Sequence, residues 1–361
     1  MYLDKKNNIN WIFELKNKVP IFLDQLKNKN KPGFLKYSLS GDLYSEKENW
    51  GLGNTVFYVK ILYILDLLKY LNSEEKEKII NFIRSFEDKN NIFYDPLIKR
   101  KSFIKEKLSA IKHFDFNNFW HKQIKIAETR QTISVLKLLE ENFTVSDKFL
   151  LKTKKDIIKY LEKLNWENPW NAGSHLSTLL FFLYNSDLDN KEILVDEVLN
   201  WLENIKQMDG FWYKGNPSIQ YKINGAMKIF TGFDAIKRKP VVDKKIIDQV
   251  LEATNDNHAC DNFNIIYVIY HLNLVYPEYR KEEIKKFALE RLENYKKYYY
   301  KDIGGFSFQK NKANQIYYGA KITKGLNEPD IHGTVMFLFG IDLISRILEV
   351  DKKLKFNYLE V

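Results

Sequence analysis

Apolar and charged segments alternate along this chain, and both show the 3.6-residue periodicity of helices, whereas period-two strand patterns are scarce. One set of predicted helices carries charged residues on one face: Asn10–Lys27, Ser73–Phe86, Ser146–Leu164, Lys191–Lys206, Lys244–Ala253 and Lys281–Tyr298. The other set is apolar nearly all round: Gly53–Leu71, Ala127–Leu139, Asn171–Tyr184, Tyr221–Phe233, Asp261–Leu272 and Ile331–Leu348.

This alternation predicts an all-α fold. A helix that is apolar all round must be buried, and an amphipathic helix can cover it. Six such pairs favour an (α/α)6 toroid formed by residues 1–361 as a single domain, with the apolar helices inside and the amphipathic helices outside. An open solenoid of helix pairs is the alternative. We favour closure because neither end of the chain shows a polar capping repeat.

The loops predict a functional face. Connections from an outer helix to the next inner helix are mostly long and hold most of the Gly, Pro, Trp and His residues. In a toroid these loops share one face with the N-termini of the inner helices, whose unpaired N–H groups favour an anion. Basic residues lie in or beside these loops: Arg130, Lys214, Lys222, Lys310, Lys312, Lys321 and Lys324. We therefore predict an aromatic-lined cup with an electropositive mouth that binds an anionic substrate.

Composition narrows the class of protein. The formal net charge is +10, but the lysines are spread over every predicted outer helix, which does not favour nucleic acid as a partner. The single cysteine, Cys260, cannot form a disulfide within the chain. The N-terminus has no apolar run of signal-peptide length, and no apolar run is long enough to span a membrane. We expect a cytoplasmic protein with at most peripheral membrane contact, and no partner subunit is identified.

Two turns resemble a known superfamily. The segments Gln207–Trp212 (QMDGFW) and Gly304–Phe306 (GGF) are similar to the "Q…DGGF/W" turns of α/α-toroid proteins, among them terpenoid cyclases and protein prenyltransferase β subunits. In that superfamily each such turn precedes an inner helix, as both turns do here. The resemblance implies the toroid fold and chemistry on an isoprenoid diphosphate. Polysaccharide lyases and several glycosidases also use such toroids, so acidic glycans stay open as substrates.

The resemblance also directs attention to acids and zinc ligands. The protonating D-x-D-D motif of such cyclases is represented only by Asp187–Asn190, on the opposite side of the predicted ring, and by Asp261. The prenyltransferase zinc site consists of a D-x-C pair and a later histidine. The same residue types occur here in His258, Cys260, Asp261 and His332, but the D-x-C order is not kept. The alternative is a buried Cys260 with Asp261 as a helix cap. The cofactor therefore stays unknown, with none, zinc and magnesium all open.

Five residues are candidates for acid–base catalysis. Glu328, Asp330 and His332 fall within five positions on the predicted functional face, where burial would raise carboxylate pKa values. Asp330 could instead cap the last helix. Asp261 and His175 begin two other inner helices, and a hydrogen-bonded core histidine is the alternative for His175.

A further set of residues is predicted to bind substrate. Glu128 and Arg130 could clamp an anion or form a structural ion pair. Aromatic and basic residues of the mouth loops complete the set: Trp170, Trp212, Tyr213, Tyr317, Tyr318, Lys321 and Lys324. The tyrosines could stabilise a carbocation, act as bases in a lyase, or simply pack.

Three functions follow from these patterns. The first is an enzyme that acts on an isoprenoid diphosphate, supported by the aromatic cup and the resemblance. The second is a lyase or hydrolase for an acidic polysaccharide or glycan, supported by the basic mouth and the stacking rings. The third is a helical scaffold without catalysis. Carboxylate geometry discriminates between them, because glycoside hydrolysis requires two carboxylates across a cleft.

Overall fold

The computed structural model describes residues 7–112 and 122–360, which are mainly helical. The α-helices are α1 (Leu15–Leu26), α2 (Leu52–Ile64), α3 (Ser73–Arg84), α4 (Pro96–Lys112), α5 (Lys122–Leu138), α6 (Lys154–Glu162), α7 (Pro169–Tyr184), α8 (Lys191–Asn204), α9 (Ile219–Ala235), α10 (Lys245–Leu251), α11 (Ala259–Val275), α12 (Lys281–Lys296), α13 (Ile331–Ile347) and α14 (Asp351–Leu354). Short 3-10 helices span Asn7–Glu14, Leu68–Tyr70 and Asp147–Phe149. Across both described ranges, no helix is both long and apolar enough to cross a lipid bilayer.

Six apolar helices form a closed inner ring. Each of α2, α5, α7, α9, α11 and α13 packs against the next, and α13 packs against α2, so the circle closes. The amphipathic helices α3, α8, α10 and α12 pack against α2, α7, α11 and α13 from outside, and α6 packs against α8. The all-α, closed (α/α)6 arrangement is therefore confirmed, and the open solenoid is excluded.

Neighbouring inner helices run parallel. Between α9 and α11, Asn224 contacts Asp261 near the helix starts, and Asp234 contacts Tyr267 further along both helices. The outer-to-inner loops consequently meet on one face. Residues of the 27–51 loop pair with residues of the 297–330 loop there, at Ser38 with Asp330 and Asp42 with Thr323. The predicted common face for the long loops is present.

Two antiparallel ribbons interrupt the last long loop. Strand β1 (Tyr299–Tyr300) pairs with β2 (Gly305–Phe306), and β3 (Ile316–Tyr317) pairs with β4 (Ala320–Lys321). The opposite face is closed by the C-terminal tail. There the Asn357 amide donates to the carbonyl of Ile64 at 2.8 Å, and the Tyr358 hydroxyl donates to Asp234 at 2.8 Å.

Several predicted boundaries were wrong for local reasons. Helix α4 lies in the connection between two predicted helices, Ser73–Phe86 and Ala127–Leu139, where no helix was expected. The sequence does hold start signals for it. Asp95 caps the helix by accepting from the amides of Leu97 and Ile98, and the proline at the first helical position needs no N–H partner. Helix α3 begins at Ser73 as predicted but ends at Arg84 rather than Phe86, and the Asn72 side chain and Glu75 form a reciprocal capping box at its start. The predicted apolar helix Gly53–Leu71 ends at Ile64, where the tail binds its last carbonyl.

Helices α7 and α9 make the closest contact in the ring, and it depends on two glycines. A Cβ atom at Gly225 would lie 2.7 Å from Cβ of Pro169, and one at Gly173 would lie 2.9 Å from the Gly225 carbonyl oxygen. Real Cβ atoms do not approach this closely, so any larger residue would force the helices apart.

We expect Gly225→Ala to lower the free energy of unfolding by roughly 1–3 kcal/mol, the usual cost of overpacking. The sign is informative because Gly to Ala in an uncrowded helix interior stabilises by about 1 kcal/mol. Urea denaturation followed by circular dichroism would measure the change. Asn200→Ala, at an exposed position of α8, should stay within about 0.5 kcal/mol. A more stable Gly225→Ala variant would contradict this packing.

Candidate functional site

The centre of the ring holds a cavity in two adjacent compartments. The mouth compartment, of about 410 Å³, lies at the first turns of α5 and α7 and is lined partly by polar groups such as Asn168, Asn171 and Ser174. The inner compartment, of about 330 Å³, extends to Leu359 of the C-terminal tail and is predominantly apolar. The residues that line both compartments form their junction: Arg130, Gln131, Trp170, Lys228 and Tyr318.

Three cationic side chains from three inner helices face this cavity. Lys60 on α2 and Arg130 on α5 are buried, and Lys228 on α9 is half-buried. None of the three forms an ion pair with a carboxylate of the described residues, and no described Asp or Glu lines either compartment. A buried charge without a partner is costly, so these cations require a compensating role.

Neutral groups are the only partners of these cations within the described structure. The Arg130 guanidinium donates to Ser177 Oγ at 2.6 Å and to the Thr231 carbonyl at 3.5 Å, while its Nε has no acceptor. The Lys60 ammonium donates to Oε1 of Gln131. The positive charge of Arg130 at the junction of the two compartments is therefore balanced by neutral acceptors alone within the described structure.

Burial and mutual repulsion disfavour the charged forms of all three groups. Burial, followed by the charges of Arg130 and Lys228, lowers the pKa of Lys60 to about 7. Burial also lowers the pKa of Lys228 to about 8, with Arg130 adding to the shift. The pKa of Arg130 falls to about 10, again chiefly through burial. The cavity lining is thus electropositive, and a bound anion would offset the repulsion among its cations.

His332, at the start of α13, faces the inner compartment in a fixed tautomer. Its Nδ1 lies 3.0 Å from the Tyr37 hydroxyl and 3.5 Å from Nδ2 of Asn314, and that amide also donates to the Tyr37 hydroxyl oxygen at 2.8 Å. The two Asn314 amide protons go to the Tyr37 hydroxyl oxygen and the Ile316 carbonyl, and Nδ1 is the acceptor that the described residues offer the Tyr37 proton. This makes Nδ1 the acceptor and leaves the ring proton on Nε2. Burial, then the charges of His258 and Lys228, lowers the pKa of His332 to about 3, so the ring is neutral.

A strained hairpin places two tyrosines over the cavity. Strands β3 and β4 are joined by Tyr318 and Gly319, whose φ angles are 43° and 80°. Positive φ at both central residues suits a type I′ turn, but a bulky residue rarely adopts it. Tyr317 and Tyr318 both line the inner compartment, and burial raises the pKa of both hydroxyls. The strain at Tyr318 lies at the ligand cavity, where backbone strain often accompanies function.

Some of the sequence-predicted site residues converge on the cavity. Arg130, Trp170, Tyr317, Tyr318 and His332 line it. Cys260 lines the same compartment, and burial raises the pKa of its thiol to about 12, so it is protonated. These residues come from distant parts of the chain, and the fold brings them to one cavity as predicted. Their roles stay proposals.

The predicted acids do not face the cavity. Asp330 caps α13 by accepting from Gly333 and also accepts from the amides of Phe308 and Asn314. Glu328 accepts from the amides of Ser40 and Gly41.

Asp261 is likewise engaged outside the cavity. It accepts from Asn224 and Asn255 and lies beside His258. These carboxylates hold loops and helix starts together, so the expected acid cluster at the cavity was wrong in placement.

Other predicted residues serve packing or lie at the rim. His175 lies 2.9 Å from the Tyr160 hydroxyl and does not line the cavity. Glu128 accepts from the amide of Asp95, so it does not clamp an anion beside Arg130. Trp212 is buried against Phe230 rather than lining the cavity.

Three residues of the predicted mouth lie away from the cavity. The Tyr213 hydroxyl donates to Asp209 on the ring's loop face, and Lys321 and Lys324 are exposed. The positive charge of the site comes from the middle of the helices, not from these loops.

The four residues considered for zinc do not assemble into a metal site. Nδ1 of His258 accepts from the Asp261 amide as the cap of α11, and His332 is bonded to Tyr37. No group of three or more His, Cys, Asp or Glu side chains in ranges 7–112 and 122–360 has metal-binding geometry. The zinc alternative was therefore wrong, because its ligands are used separately.

Sequence reasoning missed Lys60 and Lys228, although each gives a signal. Each lies in the interior of an otherwise apolar helix, in the segments VFYVKILYI and GAMKIF. A lysine on a helix that is buried all round has no route to solvent, so it must face a cavity or a partner. The prediction of the basic residues considered those in or beside the loops and therefore missed the two lysines in the helix interiors.

Comparisons with known proteins add little beyond the architecture. No protein-family model matches the chain, and no curated protein matches it in sequence. The structure is similar to that of the GH76A α-1,6-mannanase from Salegentibacter sp. HEL1_6, with 10% sequence identity and a TM-score of 0.47, over 94% of this chain and 100% of that chain. Similarity this low bears on neither substrate nor reaction.

The geometry around His332 makes a direct prediction for NMR. We expect the Nε2-protonated neutral tautomer from pH 8 down to about pH 4, because the pKa of about 3 keeps the ring uncharged above that range. Long-range ¹H–¹⁵N spectra report which ring nitrogen carries the proton. Tyr37→Phe removes the hydroxyl that donates to Nδ1 and should raise the Nδ1-protonated fraction. A wild-type spectrum showing Nδ1–H would contradict the assignment.

Proposed function

We propose that the central cavity binds an amphiphilic anionic substrate, with the anionic group at the junction and the apolar body in the inner compartment. The observation that carries this proposal is the convergence of Lys60, Arg130 and Lys228 on a cavity without a lining carboxylate in the described structure. An isoprenoid diphosphate is one ligand with this composition. Such a ligand also suits the resemblance of the chain to terpenoid cyclases and prenyltransferase β subunits.

The junction supports binding of the anionic group. Arg130 and Lys228 line both compartments, so a phosphate or carboxylate oxygen at the junction would lie beside two cationic side chains. Hydrogen bonds between ionised partners are the strongest that side chains make, and an anion here would also separate the repelling cations. Gln131 and Tyr318 add neutral donors beside them.

The inner compartment supports binding of an apolar body. Its lining is predominantly apolar and aromatic, including Phe57, Met227, Phe263, Phe339 and Leu359. Each face of an aromatic ring can stabilise positive charge, and each buried CH₂ of a ligand contributes about 0.8 kcal/mol. A sugar ring would leave its hydroxyl groups unpaired against much of this surface.

An acidic glycan is the second candidate substrate, and the polar mouth compartment favours it. Asn168, Asn171 and Ser174 offer hydrogen bonds there, and Trp170 offers a stacking surface. Hydrolysis by paired carboxylates has no support from the residues described, because no Asp or Glu lines the cavity. Elimination from a uronate, which uses cations and a neutral base, fits the lining better than hydrolysis does.

We expect Lys228→Met to weaken binding of farnesyl diphosphate by at least about tenfold, because one charge-assisted hydrogen bond contributes about 1.5–3 kcal/mol. The same variant should be more stable than the wild type without ligand, because it removes an uncompensated buried charge. Isothermal titration calorimetry and chemical denaturation measure the two effects.

Lys324→Met, which removes an exposed loop lysine, is the matched control and should change neither quantity. Farnesol should bind much more weakly than farnesyl diphosphate if the anion is recognised. Stronger binding of an oligouronate would favour the glycan candidate. Failure of all three ligands to bind, with a Lys228→Met variant no more stable than wild type, would reject the proposal.

The stability of the empty protein should depend on Lys60 in a defined pH window. The pKa of Lys60 is about 7 in the folded state, against an ordinary 10.5 when unfolded, so the unfolded state binds more protons between these values. Stability should therefore rise as pH increases from about 7 toward 10.5. The rise should be smaller in Lys60→Met, as measured by denaturation at several pH values. Equal pH profiles for the two proteins would show that Lys60 titrates normally.

A further inference from the structure

Lys60 occupies a different position from the other two cations. Arg130 and Lys228 line both compartments, whereas Lys60 lines only the apolar inner one, from the third turn of α2. Only 6% of its surface is exposed, and within the described residues its amine has one side-chain hydrogen-bond partner, the neutral amide of Gln131. An anion held at the junction would therefore place its apolar body, not its charge, against this amine.

The groups facing the inner compartment leave the Lys60 amine without an acidic neighbour. Helices α5 and α9 contribute Arg130 and Lys228, α11 contributes the protonated thiol of Cys260, and α13 contributes the neutral ring of His332. The β3–β4 hairpin contributes two uncharged tyrosine hydroxyls. Every charge that the described residues place around this compartment is positive, so the surroundings favour the free amine over the ammonium form.

We propose that Lys60 is a nucleophilic amine that forms an imine with an aldehyde or ketone group on the bound ligand. The inference rests on the proposed function for the anionic part of the ligand, and it narrows the substrate class to amphiphilic anions that carry a carbonyl. A lysine in an apolar pocket beside another cation is a recognised arrangement for this chemistry.

The reaction balances without an oxidant or a reductant. The nitrogen lone pair of Lys60 forms a bond to the carbonyl carbon as the carbonyl π bond breaks, and a proton moves from nitrogen to oxygen. The resulting carbinolamine then loses water as its C–O bond breaks and the C=N bond forms. Amine and carbonyl thus give an imine and water, and the imine nitrogen gains a proton more readily than the carbonyl oxygen did.

The same surroundings explain why Lys60, rather than Lys228, is the nucleophile. Burial lowers the pKa of Lys60 to about 7 and that of Lys228 to about 8, so both amines are partly free near neutral pH. Lys228 lines the junction, where it would pair with the anion, whereas Lys60 lines only the inner compartment. Surface lysines, with pKa values near 10.4, are almost entirely protonated there. Nucleophilic reactivity at pH 7 should therefore concentrate at Lys60.

Reductive trapping tests the proposal. The full chain is incubated at pH 7 with 4-carboxybenzaldehyde, an aryl aldehyde bearing an anion, and sodium cyanoborohydride reduces any imine to a stable amine. Intact mass and peptide mapping then locate the label. We expect labelling of Lys60 to exceed that of any surface lysine by at least about tenfold, with a rate that rises through pH 7. Labelling spread evenly over surface lysines would overturn the proposal.

Variants separate reactivity from folding and from anion binding. Lys60→Arg keeps the positive charge but cannot form an imine, so the fast-labelling site should disappear. Lys228→Arg should still label at Lys60. Lys324→Met, in an exposed loop, should label at Lys60 as the wild type does. Fast labelling of Lys228 in the wild type would show that Lys228, not Lys60, is the nucleophile, and it would overturn the inference.

Benzaldehyde, which has no anion, distinguishes the two proposals. Faster labelling of Lys60 by 4-carboxybenzaldehyde than by benzaldehyde supports both the amine and the anion site. Equal rates at Lys60 support the nucleophile and count against anion binding at the junction. Binding of farnesyl diphosphate without labelling of Lys60 by either aldehyde would uphold the proposed function and reject the nucleophile.

Discussion

The central constraint on this structure is the burial of positive charge in a ring of apolar helices with no carboxylate lining the described cavity. Lys60, Arg130 and Lys228 come from α2, α5 and α9, and the closed ring brings them to one space. Packing alone would favour apolar residues at all three positions, because uncompensated charge destabilises the folded state. Their presence at the expense of stability is typical of a binding site.

The rest of the architecture keeps this space open and separates it from solvent. Parallel inner helices give it walls, with α7 and α9 held in close contact by Gly173 and Gly225. The C-terminal tail fills the far end and contributes Leu359 to the cavity floor. The β3–β4 hairpin covers the loop side with Tyr317 and Tyr318.

Hydrophobic periodicity could predict the fold because a buried helix and a covering helix differ in composition along their whole length. It could not predict α4, whose apolar and charged residues show little amphipathic order. Side-chain placement was harder, because Asp330 and His332 are two positions apart yet face different surroundings. Asp330 turns to backbone amides, whereas His332 turns to the cavity. Neither composition nor spacing predicts that the two side chains point to different surroundings. Their placement depends on contacts with the distant loop at residues 37–41.

The location of the charge also decides which chemistry the site can support. Helix N-termini attract anions only while their N–H groups are free. Here the chain caps its own helices, since Asp330 satisfies the start of α13 and Asp95 accepts from the Gly51 amide at the start of α2. The carboxylates of Asp330 and Asp95 are engaged in this capping. An anion would therefore be attracted by cationic side chains in the helix interiors instead. A cavity formed this way holds amines, a guanidinium, a neutral imidazole and phenols. The imine formation proposed for Lys60 accordingly begins from a neutral amine rather than from a carboxylic acid.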